Sequence, residues 1–534
     1  MLTFLKRLYG PRKKPMNVFV FVGLLCLGNV LLYQKPLFMH AVAVSDLPNR
    51  LGYIQLASLQ VLQLCLLAIV LFWISTISLR AMKLVAIVLA MTNATALYFM
   101  NAYKMEIDIS MIGNILNTDT GEASGLWDNA ILPYLVVFGV LPSLLIWRTP
   151  VHRSRWFWRF GAGFAALGVL IGVLFAASHT WLWYDQNATR MGSKILPWSY
   201  VVNTGRHYNQ KALRERDQIL LPAAIFDAAP LRKQIVVLVI GESARARNFA
   251  LYGHDQNTNA FTARTSLAAL PMGQSCATNT IHGTACILTH EGSAASSHTV
   301  FEPLPSYLTR SGIETYLRSN NSGPPPLVTS FSQTGKDIVA TCADDCPTGT
   351  LDAALNWKLG ETLAASSAAR IFVTLHPRGS HGPDYANRYP ADFAQFTPVC
   401  ETVKVSECST QALENAYDNS VLYTDYLLAD LIAQLQAIPD SDAVMIYVPD
   451  HGESLGEGGY YLHGAPLSVA PKEQRDIPFL VWMSEGFMRD RGLSYDSITP
   501  ARGHPHDWPF HSVMGAFGMR SDIYKPEFDL FRGD

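Results

Sequence analysis

Five apolar runs, at residues 16–33, 54–79, 82–100, 131–147 and 160–177, crowd the first third of this 534-residue chain. Each approaches the ~20 residues that carry a helix across a bilayer. A spanning segment must satisfy its backbone internally, so five transmembrane helices are expected. Flanking basic residues set their orientation. Lys6, Arg7, Arg12, Lys13 and Lys14 precede the first run, Arg80 and Lys83 lie near the junction of the second and third, and Arg148, Arg153, Arg155 and Arg159 lie between the fourth and fifth. The opposite loops hold Lys35, Arg50 and Lys104. This asymmetry predicts a cytoplasmic N-terminus and, after five crossings, an extracytoplasmic location for everything beyond about residue 180. The competing reading is a leader cleaved after Ala41-Val42-Ala43. It is disfavoured because the apolar stretch is longer than a usual leader and Lys35 intervenes before the small residues.

Cysteine usage points to the same compartment. Cys26 and Cys65 lie inside apolar runs, whereas the other six form the close pairs Cys276/Cys286, Cys342/Cys346 and Cys400/Cys408. With no Cys-x-x-Cys present, these pairs read as disulfides rather than reduced thiols or a soft-metal site, and disulfides persist in oxidising compartments. A net charge of −2 argues against a nucleic-acid binder.

Three regions follow: a membrane domain over 1–180, a bridging segment over 181–232 and a soluble domain over 233–534. The soluble domain contains β-branched, continuously apolar runs at 234–240, 371–375, 443–448 and 477–482, with a helical pattern over 411–436. Strands buried on both faces and alternating with helices imply an α/β domain around a mostly parallel sheet. Ligands of such sheets bind beyond the carboxyl ends of the strands. That is where the polar residues collect. The first run ends in Gly241-Glu242-Ser243, the second in His376 followed by Gly379-Ser380-His381-Gly382, and the third in Asp450-His451-Gly452-Glu453, with His463 twelve residues after His451.

Carboxylates with imidazoles suit a borderline divalent cation, zinc ahead of manganese. Such an ion supports phosphoryl transfer by neutralising phosphorus oxygens and activating a coordinated hydroxyl. The hydroxyl source would be Cys276-Ala-Thr-Asn-Thr-Ile-His-Gly-Thr-Ala-Cys286, which offers Thr278, Thr280 and Thr284. The residues alone leave these three open, since each can equally serve a turn or cap. In the loop at 101–130, Asn114, Thr118 and Glu122 recur every four residues. They would share a helix face, which spacing alone reads as solvated.

Gly241-Glu-Ser-Ala-Arg245, Asp450-His-Gly-Glu-Ser-Leu-Gly456 and Gly379-Ser-His-Gly-Pro383 together resemble the lipid A phosphoethanolamine transferases, including the mobile colistin-resistance enzymes. So do Phe396-Thr-Pro-Val-Cys400, Asn415-Ala-Tyr-Asp-Asn419 and Ala470-Pro-Lys-Glu-Gln-Arg475. The resemblance implies five transmembrane helices in the bacterial inner membrane and a periplasmic domain of alkaline-phosphatase or sulfatase-like fold. It singles out Thr280 as nucleophile and assigns Zn2+ to Glu242, Thr280, Asp450 and His451. It implies substrate-phosphate or catalytic roles for His381 and His463, with His376 and Asn320 contributing to substrate binding. It also reverses the solvated reading of Asn114, Thr118 and Glu122, making them lipid contacts. The implied donor is phosphatidylethanolamine and the implied acceptor lipid A, handled by a monomer through a phosphothreonine-type intermediate. The implied outcome is resistance to cationic peptides such as polymyxin.

One departure stands out. The family commonly carries Lys-Gly soon after Asn-Asn-Ser, but here Asn320-Asn321-Ser322 runs into Gly323-Pro-Pro-Pro326, with Pro325 near the place of the basic residue. This leaves three functional readings: transfer to lipid A, the same chemistry with another acceptor (core sugar, surface glycan or periplasmic glucan) or with phosphatidylglycerol as donor, and a membrane scaffold or sensor built on an inactive domain. Intact Glu242, Thr280, Asp450 and His451 argue against the scaffold.

Overall fold

The protein is described from a computed structural model covering residues 14–103, 105–117, 129–214, 216–297, 300–321, 324–342, 351–403, 405–498 and 504–532. It divides into two units, Met1–His207 and Tyr208–Asp534. The division falls inside the segment read as a bridge, within the helix Trp198–Arg214.

The first unit is helical: α1 (Val18–Tyr33), α2 (Lys35–Ala43), α3 (Arg50–Ile77), α4 (Leu79–Ala102), α5 (Ile109–Asn117), α6 (Ile131–Arg148), α7 (Trp156–Ala176), α8 (Trp181–Gly192) and α9 (Trp198–Arg214). Among the described residues α3, α4, α6 and α7 are long and apolar enough to cross a bilayer, and α1 with α2 makes a fifth if the bent pair counts as one span. That pair bends by 66°. Pro36 lacks an N–H and suits the first turn of a new helix. The buried Gln34 side chain donates to Leu196 O and accepts from Leu196 N, so the chain turns where a polar side chain holds the backbone of a distant loop. Ser78 ends α3 and caps α4, its hydroxyl accepting from Arg80 N and Ala81 N. In α6, Pro142 cannot donate to Phe138 O, and the helix widens over Leu135–Val140. Tyr33 Oη donates to that freed carbonyl at 2.6 Å. Helix α7 presents Phe157, Phe160, Phe164, Val169, Ile171 and Phe175 outward, an apolar face suited to lipid.

The second unit is built on a seven-stranded sheet. In chain order its strands are β1 (Lys233–Gly241), β2 (Ala268–Gln274), β3 (Glu314–Ser319), β4 (Phe331–Thr334), β5 (Arg370–His376), β6 (Ser441–Pro449) and β7 (Asp476–Met483), and their spatial order is β2-β7-β6-β1-β5-β3-β4. The pairs β1/β5, β1/β6, β3/β5 and β3/β4 are parallel. Strand β7 is antiparallel to both neighbours, so the fourth apolar run closes the sheet in the opposite sense.

Helices cover both faces, which is why β1, β5 and β6 read as unbroken apolar runs. Val236, Leu238 and Ile240 of β1 pack with Phe510, Val513 and Met514 of helix Pro509–Ala516. On the other face Val239 and Leu375 lie beside Leu427, Leu428 and Leu431 of helix Thr410–Gln436. Strands β1, β5 and β6 run parallel and end together, which brings Glu242, His376 and Asp450 to one edge.

Candidate active site

Glu242 follows β1 directly and is fully buried. Its Oε2 accepts from Thr280 Oγ1 at 3.2 Å, and the same hydroxyl lies 3.3 Å from His451 Nε2. His451 Nε2 is 3.5 Å from Glu242 Oε1 and 3.4 Å from Asp450 Oδ2. The other ring nitrogen, His451 Nδ1, lies 2.8 Å from Gly452 O. It therefore carries the hydrogen, and Nε2 turns a lone pair into the site. His376 Nε2 stands 4.0 Å from Glu242 Oε2.

The nucleophile segment is held tightly. Thr280 opens the helix Thr280–Leu288, capped by Asn279, whose side chain accepts from His282 N. A first-turn position places Thr280 where the helix dipole favours developing negative charge. The Cys276–Cys286 disulfide closes the segment. Gly283 packs against the strand end, where an added Cβ would lie 2.4 Å from Asp450 O. Of the three threonines, only Thr280 reaches the carboxylate–imidazole cluster. Thr278 Oγ1 donates to Ala465 O at 2.7 Å and Thr284 Oγ1 to Thr280 O at 2.7 Å. His506 braces the same segment from behind: its Nδ1 accepts from Cys276 N and its Nε2–H donates to Pro449 O.

His381 and His463 complete the pocket wall. Their rings are 5.0 Å apart, and the His463 ring is 4.5 Å from that of His451. His463 Nδ1 is 3.3 Å from Glu453 Oε2 and 3.4 Å from Ser243 Oγ, which in turn donates to Glu242 Oε1 at 2.7 Å. Gln474 grips the backbone on both sides of His463, donating to Leu462 O and accepting from Ala465 N.

The electrostatics follow from burying two carboxylates together. Burial pushes the Asp450 carboxyl well above its usual range, and the Glu242 carboxylate pushes it further. Burial also raises Glu242, but His451, His381, His463 and His376 outweigh it and hold that carboxyl below the usual range. Burial lowers His451 and His381 to about 3, so both imidazoles are neutral. The cluster thus pairs an ionised carboxylate with neutral nitrogen donors. Donor atoms of Glu242, His376 and Asp450 lie within 4.8 Å of one another. Asp450 Oδ2 is buried and has no hydrogen-bond partner among the described residues. An orphaned carboxylate oxygen facing imidazole lone pairs is a donor set that fits a divalent cation. The second cluster of potential ligands, Cys276, His282 and Cys286, does not, because its thiols are joined.

Not every expected residue converges. The Asn320 side chain turns away and donates to Asp352 Oδ1 at 2.8 Å. Its neighbour Asn321 enters the site instead, donating to Glu242 Oε2 and lying 3.3 Å from His376 Nε2. Asn114 lies on α5, while Thr118 and Glu122 fall outside the described residues. Ser243, Asn321 and Glu453 were given no role from sequence. Their only signal was adjacency to the strand-end residues. Cys400–Cys408 is bonded, Cys342 is disulfide-bonded, and Cys346 lies outside the described residues.

Comparison with known proteins agrees along the whole chain. The family model "Phosphoethanolamine transferase EptA/EptB" matches residues 64–212 and the model "Sulfatase" matches residues 234–519. Phosphoethanolamine transferase EptA of Helicobacter pylori is 36% identical over 508 residues, covering 94% of each chain. Phosphatidylethanolamine transferase Mcr-2 of Escherichia coli is 30% identical over 514 residues, 91% of this chain and 94% of that one. The structure of the integral membrane lipooligosaccharide phosphoethanolamine transferase A of Neisseria meningitidis superposes with a TM-score of 0.84 at 25% identity, covering 97% of this chain and 99% of the other.

Proposed function

The chain belongs to the phosphoethanolamine transferase family, and on that premise we propose that it moves phosphoethanolamine from phosphatidylethanolamine to a phosphate of lipid A, with Thr280 as the covalent carrier. The observation that carries this reading is the Thr280 hydroxyl, 3.2 Å from Glu242 Oε2 and 3.3 Å from His451 Nε2 at the mouth of a buried donor cluster. Glu242, Thr280, Asp450 and His451 would hold zinc. When bound, the ion supplies positive charge that favours the alkoxide form of the hydroxyl and neutralises phosphorus oxygens.

Thr280 Oγ1 attacks phosphorus, and its proton is handed on to the oxygen that departs. The Oγ1–P bond forms as the P–O bond to diacylglycerol breaks, and the departing oxygen takes up a proton. An acceptor phosphate oxygen then attacks the same phosphorus, the P–Oγ1 bond breaks, and Oγ1 takes up a proton from the acceptor phosphate or solvent, which restores the Thr280 hydroxyl. Neutral His381, with His463 and Asn321, places N–H donors around the phosphorus oxygens. The transferred group brings an ammonium to an anionic surface, so cationic peptides such as polymyxin bind it less well. The cytoplasmic N-terminus and periplasmic catalytic unit follow from the flanking charges and are supported by the Cys276–Cys286 and Cys400–Cys408 disulfides. A monomer suffices, since every residue invoked lies in one chain.

A second reading, with a core sugar as acceptor, draws on Pro325, which is buried near the place where the family resemblance implies a basic residue. Mass spectrometry of lipid A and core from cells with and without the gene separates the two. Intact-mass measurement after exposure to phosphatidylethanolamine is expected to show one phosphoethanolamine adduct, absent in Thr280→Ala. An adduct that persists in the variant removes Thr280 as carrier.

A further inference from the structure

We infer that Asp352, a residue no sequence motif marks, is a positioning residue that sets the substrate-facing side of the pocket. The inference rests on the proposed transfer reaction. Asp352 is 6% exposed. Its carboxylate uses both oxygens: Oδ1 accepts from Asn320 Nδ2 at 2.8 Å and from Arg378 N at 2.9 Å, and Oδ2 accepts from Gly379 N at 2.9 Å. These three donors come from two different strand ends.

On the β3 side, anchoring Asn320 fixes the next residue, Asn321, whose amide reaches Glu242 and His376. On the β5 side, anchoring Arg378 and Gly379 fixes the turn that delivers His381 two residues later. Gly379 has φ +51°, and a Cβ there would sit 2.8 Å from Glu242 O. The turn therefore lies directly against the β1 end, and Ser380 N donates to Glu242 O at 3.1 Å. One buried carboxylate thus locks the ends of β3 and β5 against that of β1. Asn321 and His381 are the two groups so held, and both are among the donors that the proposed reaction places around the phosphorus oxygens.

Asp352→Asn keeps the shape but replaces one acceptor oxygen by an NH2. With the NH2 in the Oδ1 place donor faces donor at two contacts, Asn320 Nδ2 and Arg378 N, and in the Oδ2 place at one, Gly379 N, so at least one anchor is released whichever way the amide lies. In the full-length enzyme with fluorescent phosphatidylethanolamine, kcat/KM is expected to fall at least about tenfold, while zinc content stays that of the wild type. The loss should be shared with Asn321→Ala: the double variant should fall no more than about twofold below the weaker single. Should Asp352→Asn fail to fold, Asn320→Ala decides, since it frees only the β3 contact and is expected to lower kcat/KM with zinc content intact. Wild-type kinetics in the folded variant, loss of zinc in step with activity, or effects that multiply with Asn321→Ala would overturn the assignment. An inert wild-type protein would instead remove the transfer reaction, and this inference with it.

Discussion

The Thr280 hydroxyl owes its environment to neighbours that are buried and fixed, the ionised Glu242 and the neutral His451. His506 shows the cost of that arrangement. Burial lowers its imidazole to about 4 and outweighs the bond donated to Pro449 O, which favours the protonated ring; the other nitrogen accepts from Cys276 N. A folded-state value below the unfolded one means that the unfolded chain binds the proton first as pH falls. Stability should therefore be full above about pH 6.5 and decline toward about pH 4, by ~3 kcal/mol from this group alone. Thermal melts across that window are expected to slope less steeply in His506→Gln; an unchanged slope would show that His506 contributes nothing to it. Gly283 is constrained more simply. A methyl at that position meets Asp450 O at 2.4 Å, so Gly283→Ala must push the nucleophile helix off the β6 end. Transfer should drop at least tenfold, with a lower melting temperature, as read by parallel activity and melting assays.

At the scale of elements, the short helix Thr280–Leu288 is the part that must not drift. The Cys276–Cys286 bond closes a loop of 10 residues' separation around it. Such a cross-link contributes about 3 kcal/mol by restricting the unfolded chain. Replacing both cysteines by serine should cost about that much in denaturant titrations and slow transfer as well, because the hydroxyl loses its fixed placement. Unaltered transfer at lowered stability would show that the bond serves folding alone. The strand ends make a complementary point about what sequence reveals. Runs such as 234–240 were legible because a strand buried on both faces excludes polar residues along its length. The choice between Asn320 and Asn321 was not. Adjacent residues beyond a strand face opposite ways, and here Asn320, to which the resemblance gives a substrate-binding role, faces Asp352 while Asn321 faces Glu242.

At the scale of the whole molecule, the membrane unit carries its orientation in its charges. A phosphatase reporter joined after the catalytic unit should be active, and one placed ahead of the first apolar run inactive; the reverse pattern would put the catalytic unit in the cytosol and overturn the periplasmic assignment. The break between α1 and α2 tempers how far hydropathy can be read. The apolar run at 16–33 is real, yet the span is completed only past a 66° bend whose cause, Gln34 holding Leu196, lies far away in sequence.

The sequence by itself determined the membrane segments, the α/β class, the strand-end clustering of Glu242, His376, Asp450 and His451, and the family resemblance. Each of these is written in local composition or in contiguous motifs. Composition and spacing left three threonines open, the resemblance pointed to Thr280, and tertiary structure placed its hydroxyl at the cluster; tertiary structure alone decided that Asn321 rather than Asn320 joins it and that Asp352 ties two loops together. Those outcomes depend on side-chain direction and on hydrogen bonds between segments up to hundreds of residues apart. Such partners satisfy one another only once the sheet has brought their strand ends to a common edge.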